Sequence, residues 1–160
     1  MLKTIPEKTA PEAGSARVDG HGSLAASDSL ADRRRPIQEP ADYGIALPEW
    51  LKECVRHVPP GRGDSCPTDT EALLAAAFDF AFQLHEGQFR ATGEPYIVHP
   101  IAVADLLRDI GASAAVIAAG FLHDVVEDTQ VTPLELEEHF GPEVRSLVEG
   151  VTKLGGIHFT

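Results

Sequence analysis

Ala114-Ala-Val-Ile-Ala-Ala-Gly-Phe-Leu-His-Asp-Val-Val-Glu-Asp-Thr129 is the stretch on which the reading of this chain turns. From Ala114 to Leu122 every side chain is apolar or absent. A helix that is hydrophobic all round is buried. Ser113 supplies an N-cap, and the helix is expected to run on to Asp128. Residues four apart share a helix face, so His123 lies over Glu127 and Asp124 over Asp128. The neighbours His123 and Asp124 splay by roughly a quarter turn, which suits two ligands on one ion better than a salt bridge. Charges carried into an apolar setting are costly unless paired or metal-bound. One imidazole and three carboxylates point to a divalent cation and its water. A His and Asp set favours zinc, manganese or iron, and the lack of a Cys partner argues against a structural zinc site. Glu127 and Asp128, one turn further on, suit general acid–base work. A lone His-Asp pair arises often by chance. Four such groups within six residues, at the end of such a helix, favour a metal or catalytic role over a solvated helix end.

Working outward, the pattern stays helical. Thr68-x-x-Glu71 reads as a capping box opening a helix over 68–86, with Leu73, Leu74, Ala77, Phe78, Ala81, Phe82 and Leu84 on its apolar side. Residues 89–98, with Gly93 and Pro95, read as an irregular loop. His99-Pro100 reads as a helix entry with Pro at the first position, and Gly111 ends that helix. Thr132-Pro133-Leu134-Glu135 is a second capping box, opening a helix to Phe140. Gly141-Pro142 then breaks the chain before a last helix over 143–154. Upstream, residues 47–57 read as a short helix with Pro48 first, and 58–67 as a loop. Residues 1–44 are rich in Gly, Ser, Ala, Pro and charge and read as a disordered N-terminal tail. That leaves 45–160 as the folded unit. No period-2 strand and no repeat is present, so the fold class is all-α with short connections.

The net charge of −12 is unevenly placed. Residues 1–45 hold six basic side chains against seven acids, and 46–160 hold seven against eighteen. Nucleic-acid binding is disfavoured, because it rests on clustered Lys and Arg. A polyanionic substrate needs a cation or a local arginine to offset this field. Arg90 is a surface arginine that can clamp an anionic or aromatic group. His99 is a second ligand candidate, although a lone His is more often a core or capping residue. His21, His57, His85, His139 and His158 receive no role. The nine apolar residues 114–122, at about 1.5 Å each, cannot cross a hydrocarbon core of about 30 Å. No membrane span and no apolar signal-peptide core is expected. Cys54 and Cys66 form neither a CxxC pair nor a disulfide framework, which suits a reducing, cytoplasmic setting.

These residues are together recognisable. Gly93-Glu-Pro-Tyr-Ile-Val-His-Pro100, Phe121-Leu-His-Asp-Val-Val-Glu-Asp-Thr129, Phe140-Gly141 and Glu149-Gly-Val-Thr-Lys-Leu154 closely resemble the hydrolase domain of the RelA/SpoT homologue family. Those are long bifunctional enzymes that make and break (p)ppGpp. The resemblance implies an all-helical HD-type bundle holding one Mn2+ ion, with His99, His123 and Asp124 as ligands. It implies that Glu127 and Asp128 activate the water that attacks the 3′-pyrophosphate, and that Arg90 lies against the guanine of a guanosine polyphosphate. Ala91 and Thr92 stand where the family usually carries Lys and Ser. A fourth aspartate ligand, further helices, the synthetase domain and regulatory domains are expected beyond Thr160, so 45–160 is expected to be a partial, truncated HD-type hydrolase domain. Two alternatives remain: an HD phosphohydrolase for another nucleotide, and an inactive truncated interaction module.

Overall fold

The structure, a computed structural model, describes residues 37–58 and 69–155, with side chains to residue 153. A 3-10 turn at Pro40–Tyr43 is followed by α1 (Glu49–His57), α2 (Thr70–Leu84), α3 (Val98–Asp109), α4 (Ala114–Leu122), α5 (Val125–Asp128) and α6 (Pro133–Gly155). Among the described residues there is no strand, only an isolated bridge pairing Phe89 with Pro95. The all-α expectation therefore holds. No described helix is long and apolar enough to cross a membrane.

The all-round apolar helix is the centre of the bundle. α4 packs against α2, α3 and α6, while α1 covers α2. Phe121 and Leu122 are fully buried with Phe78 and Leu51. Each such side chain stabilises the fold by about 1.5–3 kcal/mol relative to exposure. Gly120 lets α3 approach closely, since a Cβ there would meet Leu107 Cδ1 at 2.7 Å.

Local signals set most boundaries. Thr132 Oγ1 accepts from the Glu135 N–H at 3.3 Å, and Glu135 Oε2 accepts from the Thr132 N–H at 2.6 Å. This is the reciprocal capping box expected at that site. Ser113 Oγ accepts from the Val116 N–H at 3.4 Å. α6 kinks at Gly141, whose φ of 87° excludes helix, with Pro142 following. The second helix begins one residue later than its expected cap. Asp69 caps α2 by accepting from the Glu71 N–H at 3.4 Å, and Thr68 lies outside the described residues. α3 starts at Val98, so Pro100 is its third residue rather than its first. The first-turn N–H groups have no intrahelical partner, so proline fits there equally well.

Two expectations are corrected. The tail assigned to residues 1–44 does not extend through Tyr43. That ring is buried against Phe78 and Phe82, at 4.8 Å from each. Its hydroxyl donates to buried Asp79 Oδ1 at 2.7 Å. One aromatic side chain with a hydrogen-bond partner is enough to anchor a segment of tail-like composition. Residues 1–36 lie outside the described residues. The helix expected over 114–128 is also interrupted, at His123-Asp124, which separates α4 from α5.

Candidate metal centre

That interruption builds the site. His123 Nδ1 lies 2.7 Å from the Gly120 carbonyl oxygen. A carbonyl only accepts, so Nδ1 carries the proton and Nε2 faces the other way. In an unbroken helix that carbonyl would take the N–H of residue 124. With the carbonyl taken by the ring, the chain turns, and His123 Nε2 comes within 2.9 Å of Asp124 Oδ2. The neighbours thus meet in an ion pair instead of splaying apart. His99, in the first turn of α3, brings its Nε2 to 3.8 Å from the same oxygen. The His99 and His123 rings are 5.2 Å apart.

One atom from each of His99, His123 and Asp124 lies within 4.8 Å of the others. Ligands at about 2.0–2.2 Å from one ion sit about 3 Å or slightly more from each other. The donor set and its spacing therefore fit a divalent cation. The Gly120 carbonyl fixes the His123 tautomer, as a backbone carbonyl commonly does for a ligating histidine.

The electrostatics divide the two histidines. Burial, together with the charge of His123, pulls His99 below the ordinary imidazole range. It stays neutral, as a metal ligand must. Burial also opposes charge on His123, but the hydrogen bonds to Asp124 and the Gly120 carbonyl outweigh it and raise its pKa. Burial would raise Asp124, yet its bonds with His123 and Tyr96 hold it below the usual carboxylate range. The Tyr96 hydroxyl donates to Asp124 Oδ2. Burial first, then Asp124, pushes that phenol upward, so it remains a donor.

The other sequence candidates stand around this trio. Glu127 and Asp128 are exposed on α5. Asp128 is close enough for its charge to act on Tyr96 and His123. Thr129 Oγ1 donates to the Val125 carbonyl at 2.5 Å and closes α5. Arg90 is exposed, 3.9 Å from Glu94 Oε2, and its charge is felt at His99. Tyr96 was missed in the sequence because it reads as part of an apolar run. A tyrosine beside a candidate ligand is the available signal, since its hydroxyl needs a partner when buried. His85, given no role, is buried beneath Tyr96 with ring centroids 4.6 Å apart.

A bundle of short helices bearing this trio defines a class, and residues 77–160 match the HD domain family. The chain belongs to that family. It is 50% identical over 122 residues to a probable guanosine-3′,5′-bis(diphosphate) 3′-pyrophosphohydrolase of Synechocystis sp., covering 74% of this chain and 16% of that protein. A guanosine-3′,5′-bis(diphosphate) 3′-pyrophosphohydrolase of Aquifex aeolicus is 40% identical over 115 residues, 72% of this chain and 15% of that one. GTP pyrophosphokinase rsh of Brucella melitensis is 49% identical over 88 residues, 55% of this chain and 12% of that one. The chain thus spans about a sixth or less of the length of these curated relatives.

Proposed function

We propose that this chain carries the hydrolase site of a manganese-dependent (p)ppGpp 3′-pyrophosphohydrolase, of the kind found in bifunctional synthetase/hydrolase proteins. The observation that carries the reading is the convergence of His99, His123 and Asp124, in a chain 50% identical to a protein with that name. In this reading those three residues hold the cation. When bound, the cation supplies positive charge for phosphate oxygens and acidifies water. That charge matters in a chain of net charge −12 facing a polyphosphate.

The chain's own residues divide the remaining work. Glu127 and Asp128 take up the proton of the attacking water. The water oxygen joins the phosphorus carried on the ribose 3′ oxygen. That oxygen leaves and is protonated, giving GDP from ppGpp, or GTP from pppGpp, plus pyrophosphate. Arg90 offers a flat, permanently charged guanidinium to the guanine. Ala91 and Thr92 beside it place no second cation there. A cytoplasmic setting goes with this substrate.

The test is ppGpp turnover with added Mn2+, read by anion-exchange separation of nucleotides. It is run on this chain and on a fusion to the region that follows in the Synechocystis protein, each with Asp124→Ala. Release of GDP and pyrophosphate, abolished by Asp124→Ala, is the expected result. Manganese binding with ppGpp left intact in both forms would overturn the substrate and direct the search to other nucleotides.

A further inference from the structure

We propose that Tyr96 is the positioning residue of the metal centre, the side chain that sets Asp124 as a ligand. This inference rests on the metal reading above and adds a residue to it.

The Tyr96 hydroxyl donates to Asp124 Oδ2. That is the same oxygen that lies 2.9 Å from His123 Nε2 and 3.8 Å from His99 Nε2. A carboxylate oxygen has two lone pairs. With one engaged by the phenol, the carboxylate is rotated so that the other faces the imidazoles. Asp124 sits in the turn between α4 and α5, where its backbone is right-handed helical and its carbonyl accepts the Asp128 N–H at 2.9 Å. The backbone fixes its main chain, and the rotation of its carboxylate is left to side-chain partners.

Tyr96 is itself firmly held. Its N–H donates to the Gln88 carbonyl at 2.9 Å, beside the bridge between Phe89 and Pro95. Its ring lies on His85, which is 2% exposed, and His85 Nδ1 is 2.9 Å from Gln88 Oε1. Tyr96 also touches a second ligand through the backbone, because its carbonyl accepts the His99 N–H at 3.0 Å. One residue thus fixes the start of the helix carrying His99 and the rotation of Asp124. Groups that orient metal ligands in this way commonly account for 10- to 100-fold in affinity.

The experiment is the Mn2+ dissociation constant, from the electron paramagnetic resonance signal of free Mn2+, for wild type, Tyr96→Phe and Asp124→Asn. Circular dichroism of the metal-free proteins runs beside it. The expected result is a Tyr96→Phe protein with unchanged helical signal and a Kd raised about tenfold or more, and no binding by Asp124→Asn. If Tyr96→Phe binds as tightly as wild type while Asp124→Asn does not bind, the role of Tyr96 is overturned and the metal reading stands. If wild type binds no Mn2+, or Asp124→Asn binds like wild type, the metal reading fails and the Tyr96 role falls with it. Should Tyr96→Phe lose its helical signal, 3,5-difluorotyrosine at both tyrosines keeps the ring shape and makes the hydroxyl more acidic. A Kd then shifted by more than about threefold supports the proposal, and an unchanged Kd overturns it.

Discussion

Two tyrosine–aspartate pairs serve opposite ends in this molecule. Asp79 is buried in α2 and accepts from the Tyr43 hydroxyl at 2.7 Å and from Gln83 Nε2 at 2.6 Å. Asp124 is partly open, and besides its tyrosine it faces two imidazole nitrogens. An amide N–H and a phenol O–H donate to a carboxylate without adding a ligand for a cation. Imidazole nitrogens bring lone pairs of their own. The chemistry of a buried carboxylate is therefore decided by the company it keeps more than by its tyrosine.

The largest effect expected from this contrast is on stability. Asp79→Ala removes the buried carboxylate that accepts from the Tyr43 hydroxyl and from Gln83 Nε2. The loss should be about 2–3 kcal/mol in urea unfolding, with Mn2+ affinity unchanged. A parallel fall in Mn2+ affinity would show that the two pairs are not separate. The next effect is on pH. The raised pKa of His123 means its charged form helps the metal-free fold at low pH, and that help is lost as pH climbs through the folded value. Asp124, lowered, helps at higher pH and loses its contribution as pH falls through its folded value. A cation must displace the His123 proton. Calorimetry across pH should show Mn2+ affinity rising about tenfold per pH unit, then levelling above the His123 value. A flat profile would mean that His123 is no ligand. The smallest effect belongs to a boundary remote from both pairs. Thr132→Ala removes half of the reciprocal cap on α6 and should cost about 1 kcal/mol of stability. Its Mn2+ affinity should match wild type, and a change would extend the metal site to the α6 entry.

Features governed by local chemistry were legible in the sequence. The all-round apolar run became the central α4, the Thr132 and Glu135 pair capped α6, and Gly141 broke it. Three features were not. The His123 break depends on a ring capturing a carbonyl, and periodicity continues straight through it. The buried Asp79 interrupts the apolar side of α2, and one of its partners, Tyr43, arrives from far upstream. Tyr96 acts across a separation of 28 residues, which sequence spacing does not reveal. In the last two cases a tertiary partner decides, and in the first a side chain bonds a carbonyl three residues back, which hydrophobic periodicity does not register.

The hairpin of α3 and α4, joined through Gly111 and Ser113, has a further consequence. Every member of the candidate centre, from Tyr96 to Asp124, lies on or beside that one hairpin, across that separation of 28. The entropy lost in gathering them is the closure of a single short loop, which grows only slowly with length. Contacts of modest sequence separation such as these favour fast folding. A cation that bridges the trio would act as a reversible clasp on the hairpin, favouring its closed form by mass action.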